Sequence, residues 1–521
     1  MSSWLDRLKL ARLPDFRPKL YEWIEQLFSD VSWNIRKLWH SVKQGWRSIK
    51  QLPHSVREQW DIVPLFYRKL AWSLIVGLST LGVIVFSYDA AWVMNMEDSS
   101  MDWMMKLNEG IIPPLAEKNI PPFLLVDIND DTYHAWGEPL FTPRERLKNL
   151  IKAAVDAKAR MVIVDIDVSQ PTPVETSLLH PDDQALKNYL ADYVTECKAK
   201  TDKSECPSII FVRAFWVEPD QVPVPRIGFL EEIVAQSAPY LQWATAHFYR
   251  AEDQVVRRWQ LWQPACTSDK QKQVIPSIEL LAWAMVKDCS TEQITEVLRD
   301  FRPQNCFGQY IPSQSPPPET VTMCDLTIDT KIRDVNQRIM YSMPWLKNNS
   351  LPLVMLTQAS EEALTVCSAQ SVETGSETEC LERLTDHIVI IGGSYRDGGD
   401  IHLTPLDEMP GSLIILNAIH SLLHYQKIEP LPEWGKWLLT VVFIVIMNFL
   451  FARFTSFWGI VLSGSFMIFI MLPVSLFLFS FGVWLDFALP LIMVQVYRIA
   501  SDFNERGKEI LRLQSILAKN K

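Results

Sequence analysis

The sequence predicts an α/β extracytoplasmic domain, a parallel or mixed sheet with flanking helices, joined to four transmembrane α-helices. Three observations predict it. Two short apolar runs ending in a carboxylate, Phe123 to Asp127 and Met161 to Asp165, bracket a helical pattern, which is the signature of a strand–helix–strand crossover. Four long apolar runs approach the length that a bilayer core requires. Charge is also unevenly divided along the 521 residues.

That division excludes a class of function. Residues 1 to 69 carry 13 Lys and Arg against 7 Asp and Glu, and residues 434 to 521 carry 8 against 4. The block between them holds 29 basic and 50 acidic residues. Such a block repels phosphate backbones, so no nucleic-acid partner is expected.

Leu70 to Phe86 is a stretch without charge, bracketed by Arg68-Lys69 and Asp89. Its depth in the chain and its lack of a small-residue cleavage site make it an anchor rather than a removed signal peptide. Three more spans are expected at 434–452, 457–479 and 481–498, split at Arg453 to Ser456 and at Ser480 to Gly482. The second split is inferred because the run from Trp458 to Tyr497, whose only charge is Asp486, is too long for one span. The basic flanks Arg68, Lys69, Arg453, Arg498, Arg506 and Lys508 belong on the cytoplasmic side. The chain then divides into a cytoplasmic region 1–68, a first span 69–88, an outer block 89–433, the three further spans, and a cytoplasmic tail 499–521.

The cysteines agree with this topology. All eight (Cys197, Cys206, Cys266, Cys289, Cys306, Cys324, Cys367, Cys380) lie in the outer block, as disulfides in an oxidising compartment would. No pair has the close double spacing of a zinc site. Short intervening chain favours Cys197 with Cys206, Cys306 with Cys324 and Cys367 with Cys380, which leaves Cys266 with Cys289. In the N-terminal region, Val31, Ile35, Trp39, Val42, Trp46 and Ile49 form one helical stripe among basic residues, suited to a membrane surface, to a packed helical subdomain or to a cytoplasmic partner.

Within the outer block, Thr142-Pro143-Arg144-Glu145 is a helix start, with Thr142 as cap and Pro143 in the first helical position. Leu147, Leu150, Ile151, Ala154 and Val155 supply its apolar face. Further strands are expected at Ser208 to Trp216, Arg338 to Met343 and His387 to Ile391.

Leu125 to Asp130, Trp136-Gly137, Pro143-Arg144 and Val162 to Asp167 form an early set of motifs. Val389 to Gly393, Asp400, Thr404-Pro405, Met409-Pro410-Gly411 and Asn417-Ala418 form a late set. In this order they resemble the CHASE type-two domain, the extracellular sensory domain associated with bacterial cyclases, histidine kinases and protein kinases. The resemblance covers roughly residues 70 to 500. It implies a sensory function and a multi-pass protein of a bacterial inner membrane, with its large domain periplasmic and both termini inside. Two departures stand out: Ile415-Leu416 replace a His-Ala pair that the family has before the Asn, and no cyclase or kinase output domain is expected in this chain.

Asp127, Asp165, Asp167 and Asp400 all follow strand-like runs, and parallel sheets bind ligands beyond the carboxyl ends of their strands. They are the candidate ligand-binding residues, and calcium or magnesium would need several such oxygens. Helix caps and turns are the alternative use of Asp. Gly392-Gly393-Ser394 and Gly398-Gly399-Asp400 offer backbone N–H groups to an anion. No nucleophile elbow, His-Glu-x-x-His helix or phosphate loop is present, so neither a catalytic residue nor a cofactor is expected; His134, His387, His402 and His420 read as core or surface residues.

At the tail, Val496, Ile499, Phe503, Arg506, Ile510, Leu513 and Leu517 repeat at three–four spacing, a seam for self-association or a partner helix. The expected partners are therefore the lipid bilayer, a cytoplasmic or envelope protein, and a second copy of this chain. Two functions compete: a receptor coupled to a separate cytoplasmic protein, and a structural subunit of an envelope-spanning complex that uses the sensory fold as a scaffold.

Overall fold

The computed structural model describes residues 64–86, 91–111, 120–174, 179–201, 205–218, 221–308, 310–311, 318–330, 337–346, 351–356, 362–426, 429–430, 432–454 and 456–485. The N-terminal stripe and the C-terminal seam lie outside these residues. The chain forms two units, one made of Met1–Met101, Leu431–Phe477 and Leu485–Lys521, the other of Asp102–Pro430 and Leu478–Trp484.

In the first unit, helix Leu65–Phe86 packs against helix Glu433–Arg453. Helical structure then runs through Phe457–Phe479, with a π-helical segment at Met467–Met471. Among the described residues this is the one helix long and apolar enough to cross a bilayer, where four spans were expected. The second expected span forms as a helix, but its apolar part, Leu438–Arg453, is shorter than a bilayer needs. Helix Leu65–Phe86 occupies the first expected position. At Ser480 to Gly482 the chain turns, with Gly482 at φ +74°, a left-handed conformation that suits glycine. Val483–Trp484 is then a short strand pairing with Glu429–Pro430 rather than the start of a fourth helix, and residues from 486 onward lie outside the description.

The second unit is built on a seven-stranded sheet. In chain order its strands are β1 (Phe123–Ile128), β2 (Met161–Val164), β3 (Ser208–Val212), β4 (Leu241–Ala244), β5 (Leu353–Leu356), β6 (Glu362–Ser368) and β7 (Ile388–Gly393), arranged β5-β6-β1-β7-β2-β3-β4. All neighbours are parallel except the edge pair β5-β6. β1 and β2 are buried along their length, and apolar except at Asp127, because helices cover both faces. On one face, Leu124, Val126, Val162 and Val389 pack with Leu147, Leu150 and Ile151 of α1 (Arg144–Asp156) and with Leu186 and Leu190 of α2 (Pro181–Ala199). The other face receives α4 (Gly411–Tyr425), which packs in turn on α3 (Ile278–Val286).

Three local expectations change. Helix α1 starts at Arg144, with Pro143 in the cap position and no side-chain cap. Arg144 is drawn inside instead, donating to the carbonyls of Asp167 and Gln170 at 3.2 and 3.1 Å. The expected strand at Arg338 to Met343 is reduced to one bridge between Arg338 and Arg258. Ile339 donates to Arg257 O, and three further N–H groups are taken by side chains of α4: Met340 donates to Ser421 Oγ, and Ser342 and Met343 donate to Asn417 Oδ1. Four disulfides form, Cys197–Cys206 and Cys367–Cys380 as expected, but Cys266–Cys306 and Cys289–Cys324 in place of the other two pairs. Each doubling of loop length costs only about 0.6 kcal/mol, so loop closure was too weak a criterion against the positions imposed by the surrounding strands.

Candidate functional site

Asp127 is the second-last residue of β1, and strand alternation turns it to the α4 side of the sheet, opposite Leu124 and Val126. It stands in register with Gly392 of β7. On the far side of β7, the Asp165 N–H donates to Ile391 O at 2.9 Å. Asp127, Gly392 and Asp165 therefore form one row across three adjacent strands. The glycine is required by what lies above it: a Cβ at Gly392 would stand 2.6 Å from Ser412 Cβ and 3.6 Å from Asp165 Cβ. The first turn of α4 thus rests on the middle of the row.

Asp400 completes the arrangement. A Cβ at Gly411 would stand 2.4 Å from Asp400 Oδ2, and the Gly411 N–H donates to Asp400 O at 3.0 Å. The carboxylate sits over the head of α4, where uncapped N–H groups favour negative charge. His402 Nε2 lies 2.9 Å from Asp400 Oδ1. Ser394 Oγ donates to Asp127 Oδ2 at 2.8 Å.

Polar capacity is left over. Asp127 Oδ1, Asp165 Oδ2 and Ser412 Oγ are buried without a hydrogen-bond partner. Asp127 and Ser412 are shut from solvent as whole residues, whereas the Asp400 side chain is 46% exposed, so the site has a buried floor and an open rim. Burial raises the Asp127 carboxyl to about 7 against the Ser394 hydrogen bonds, and burial together with the charge of Asp400 raises Asp165 to about 8. Both are carboxyls that hold a proton near neutrality unless a cationic or donor group meets them.

Of the four candidate aspartates, this site joins Asp127, Asp165 and Asp400. Asp167 turns away as a turn residue: it accepts the Ser169 N–H at 2.8 Å and lies 3.6 Å from Arg226. Among the described residues no group of three His, Cys, Asp or Glu side chains is placed to hold a metal ion. The glycine-rich turn is not an anion cradle. The N–H groups of Ser394 and Tyr395 donate to Ile128 O, and that of Arg396 donates to Asp130 Oδ1. Ser412 was not singled out in the sequence; its only signal was its place after Pro410-Gly411, just beyond a turn. His402 reaches the site, while His134 pairs with Glu138 on the surface and His420 is half-buried beside Ser342.

Fold and site together define an α/β domain with a polar site at the carboxyl edge of a parallel sheet, in a chain that also carries a long apolar helix. The chain belongs to the CHASE2 domain family, which matches residues 73–450. This is a family of large extracellular sensory domains, not of catalytic ones. No curated protein and no solved structure matches the chain.

Proposed function

We propose that this protein is a membrane-anchored receptor that binds a ligand outside the cytoplasm and couples to a separate cytoplasmic protein, with no catalysis of its own. The observation that carries the proposal is the row Asp127–Gly392–Asp165 under the head of α4, where three buried oxygens lack partners. Unpartnered buried acceptors are costly, and a ligand that brings hydrogen-bond donors or positive charge would relieve them. Asp400, on the open rim, is the residue that such a ligand meets first. The membrane setting is supported by helix Phe457–Phe479, and the basic flanks support an inner-membrane orientation with both termini in the cytoplasm.

The test is thermal unfolding of the detergent-solubilised chain across calcium, magnesium and small organic amines. A ligand at 100 times its dissociation constant adds about 2.7 kcal/mol. The receptor predicts that at least one cation raises the transition and that Asp127→Asn with Asp400→Asn abolishes the rise. If nothing shifts the wild-type chain, these carboxylates are structural, and the second function, an envelope-complex subunit using the fold as a platform, takes precedence.

A further inference from the structure

Helix Ala91–Ile111 begins in the first unit and ends in the second. Its residues Asp102 and Lys106 are one turn apart and share a face. Both are held by the outer domain. Arg257 Nε and Nη2 donate to Asp102 Oδ2 at 3.0 and 2.8 Å, and Arg338 also pairs with Asp102. Both arginines are buried, so the carboxylate serves as a clamp for two guanidiniums. One turn on, Lys106 Nζ donates to Asp407 Oδ1 at 2.9 Å.

Both holds lead back to the candidate site. Asp407 belongs to the hairpin Ile401–Thr404 and Asp407–Pro410, which begins immediately after Asp400 and ends immediately before Gly411. The other path runs through side chains. His402 Nε2 meets Asp400, and its Nδ1 lies 3.4 Å from Arg250 Nη2. Arg250 pairs across its own hairpin with Val256, the residue before Arg257, and strand Val256–Trp259 packs on Ile401–Thr404. Arg250 serves Nδ1 as a donor, so His402 presents its Nε2 proton to Asp400.

We infer that the chain Asp400–His402–Arg250, continued through Arg257 to Asp102, couples the site at the head of α4 to helix Ala91–Ile111. A change at Asp400 re-aims His402, shifts the Phe248–Arg250 and Val256–Trp259 hairpin, and alters how firmly Arg257 and Arg338 hold Asp102. The Lys106–Asp407 pair is exposed and contributes little by itself; the buried clamp is the element that responds. The inference takes from the receptor proposal only that Asp400 is the input, and its test needs no ligand.

The experiment is hydrogen exchange on the full chain in detergent, following the amides of Ala91–Ile111. Asp400→Asn is expected to change exchange across Met96 to Leu107 by about fivefold or more, the lower end of an allosteric coupling. In a His402→Gln background the same substitution is expected to change it little. Additive effects of the two substitutions, or no response of the helix to Asp400→Asn, overturn the inference. Arg250→Lys, which keeps the charge but loses the fork, is the second variant: it must weaken the response as His402→Gln does, and a full response there also overturns the inference. None of these outcomes depends on the cation screen, so the receptor proposal stands or falls separately.

Discussion

Gly392 lies directly beneath Ser412, so close that a methyl group on the glycine would stand 2.6 Å from the serine Cβ. Strand β7 and helix α4 approach each other there without an intervening side chain, and the approach places Asp127 and Asp165 on either side of the helix head.

Gly392→Ala should therefore overpack the site and destabilise the chain by about 1–3 kcal/mol. Ser412→Gly in the same molecule should recover part of the loss. Paired melting curves of the single and double variants check this; equal melting of wild type and Gly392→Ala would mean that the helix head yields freely.

Stability should fall as pH rises. Asp127 is raised to about 7, Asp165 to about 8 and the buried Glu279 of α3 to about 8, each mainly by burial, against about 4 in an unfolded chain. The folded chain holds these protons more tightly. Their stabilisation is complete below about pH 4 and is lost as pH climbs through 7 and 8. The melting temperature should decline between about pH 5 and about pH 9, and Asp165→Asn should flatten part of the decline. A profile that rises across this range would contradict the assignment.

Asp102→Asn removes the charge between two buried arginines. Breaking a buried pair from one side costs about 3–5 kcal/mol, and the loss should lie near the lower end because Arg257 keeps Asp253. Asp102→Glu should lose less. Denaturant unfolding monitored by tryptophan fluorescence distinguishes the two.

The disulfide pairing is open to direct inspection. Non-reduced peptide mapping should recover Cys266 linked to Cys306 and Cys289 linked to Cys324, with no thiol labelled before reduction. Replacing both cysteines of either pair by serine should cost about 2–5 kcal/mol. Recovery of a Cys306–Cys324 peptide would contradict the observed pairing.

The sequence by itself determined β1, β2, β3 and β7, because a strand buried on both faces is largely apolar, and runs such as Phe123 to Asp127 and Met161 to Asp165 carry that requirement in consecutive residues; β4, β5 and β6 were not read from it, and the strand expected at Arg338 to Met343 did not form. It placed Asp127 and Asp165 at strand ends for the same reason, whereas Asp400, expected to follow a strand-like run, stands just before the hairpin strand Ile401–Thr404. The two shortest disulfides formed as expected, but the same criterion of short intervening chain failed for Cys306 with Cys324. Tertiary structure alone decided the rest. That β7, from far along the chain, inserts between β1 and β2 is a matter of pairing between distant segments. Local periodicity carries no record of such pairing. That insertion is what puts Gly392 between the two aspartates and, through the chain that follows β7, brings Ser412 and His402 to the site. The long disulfides and the Asp102 clamp have the same origin: partners distant in sequence meet only once the sheet and its helices have fixed where their backbones lie.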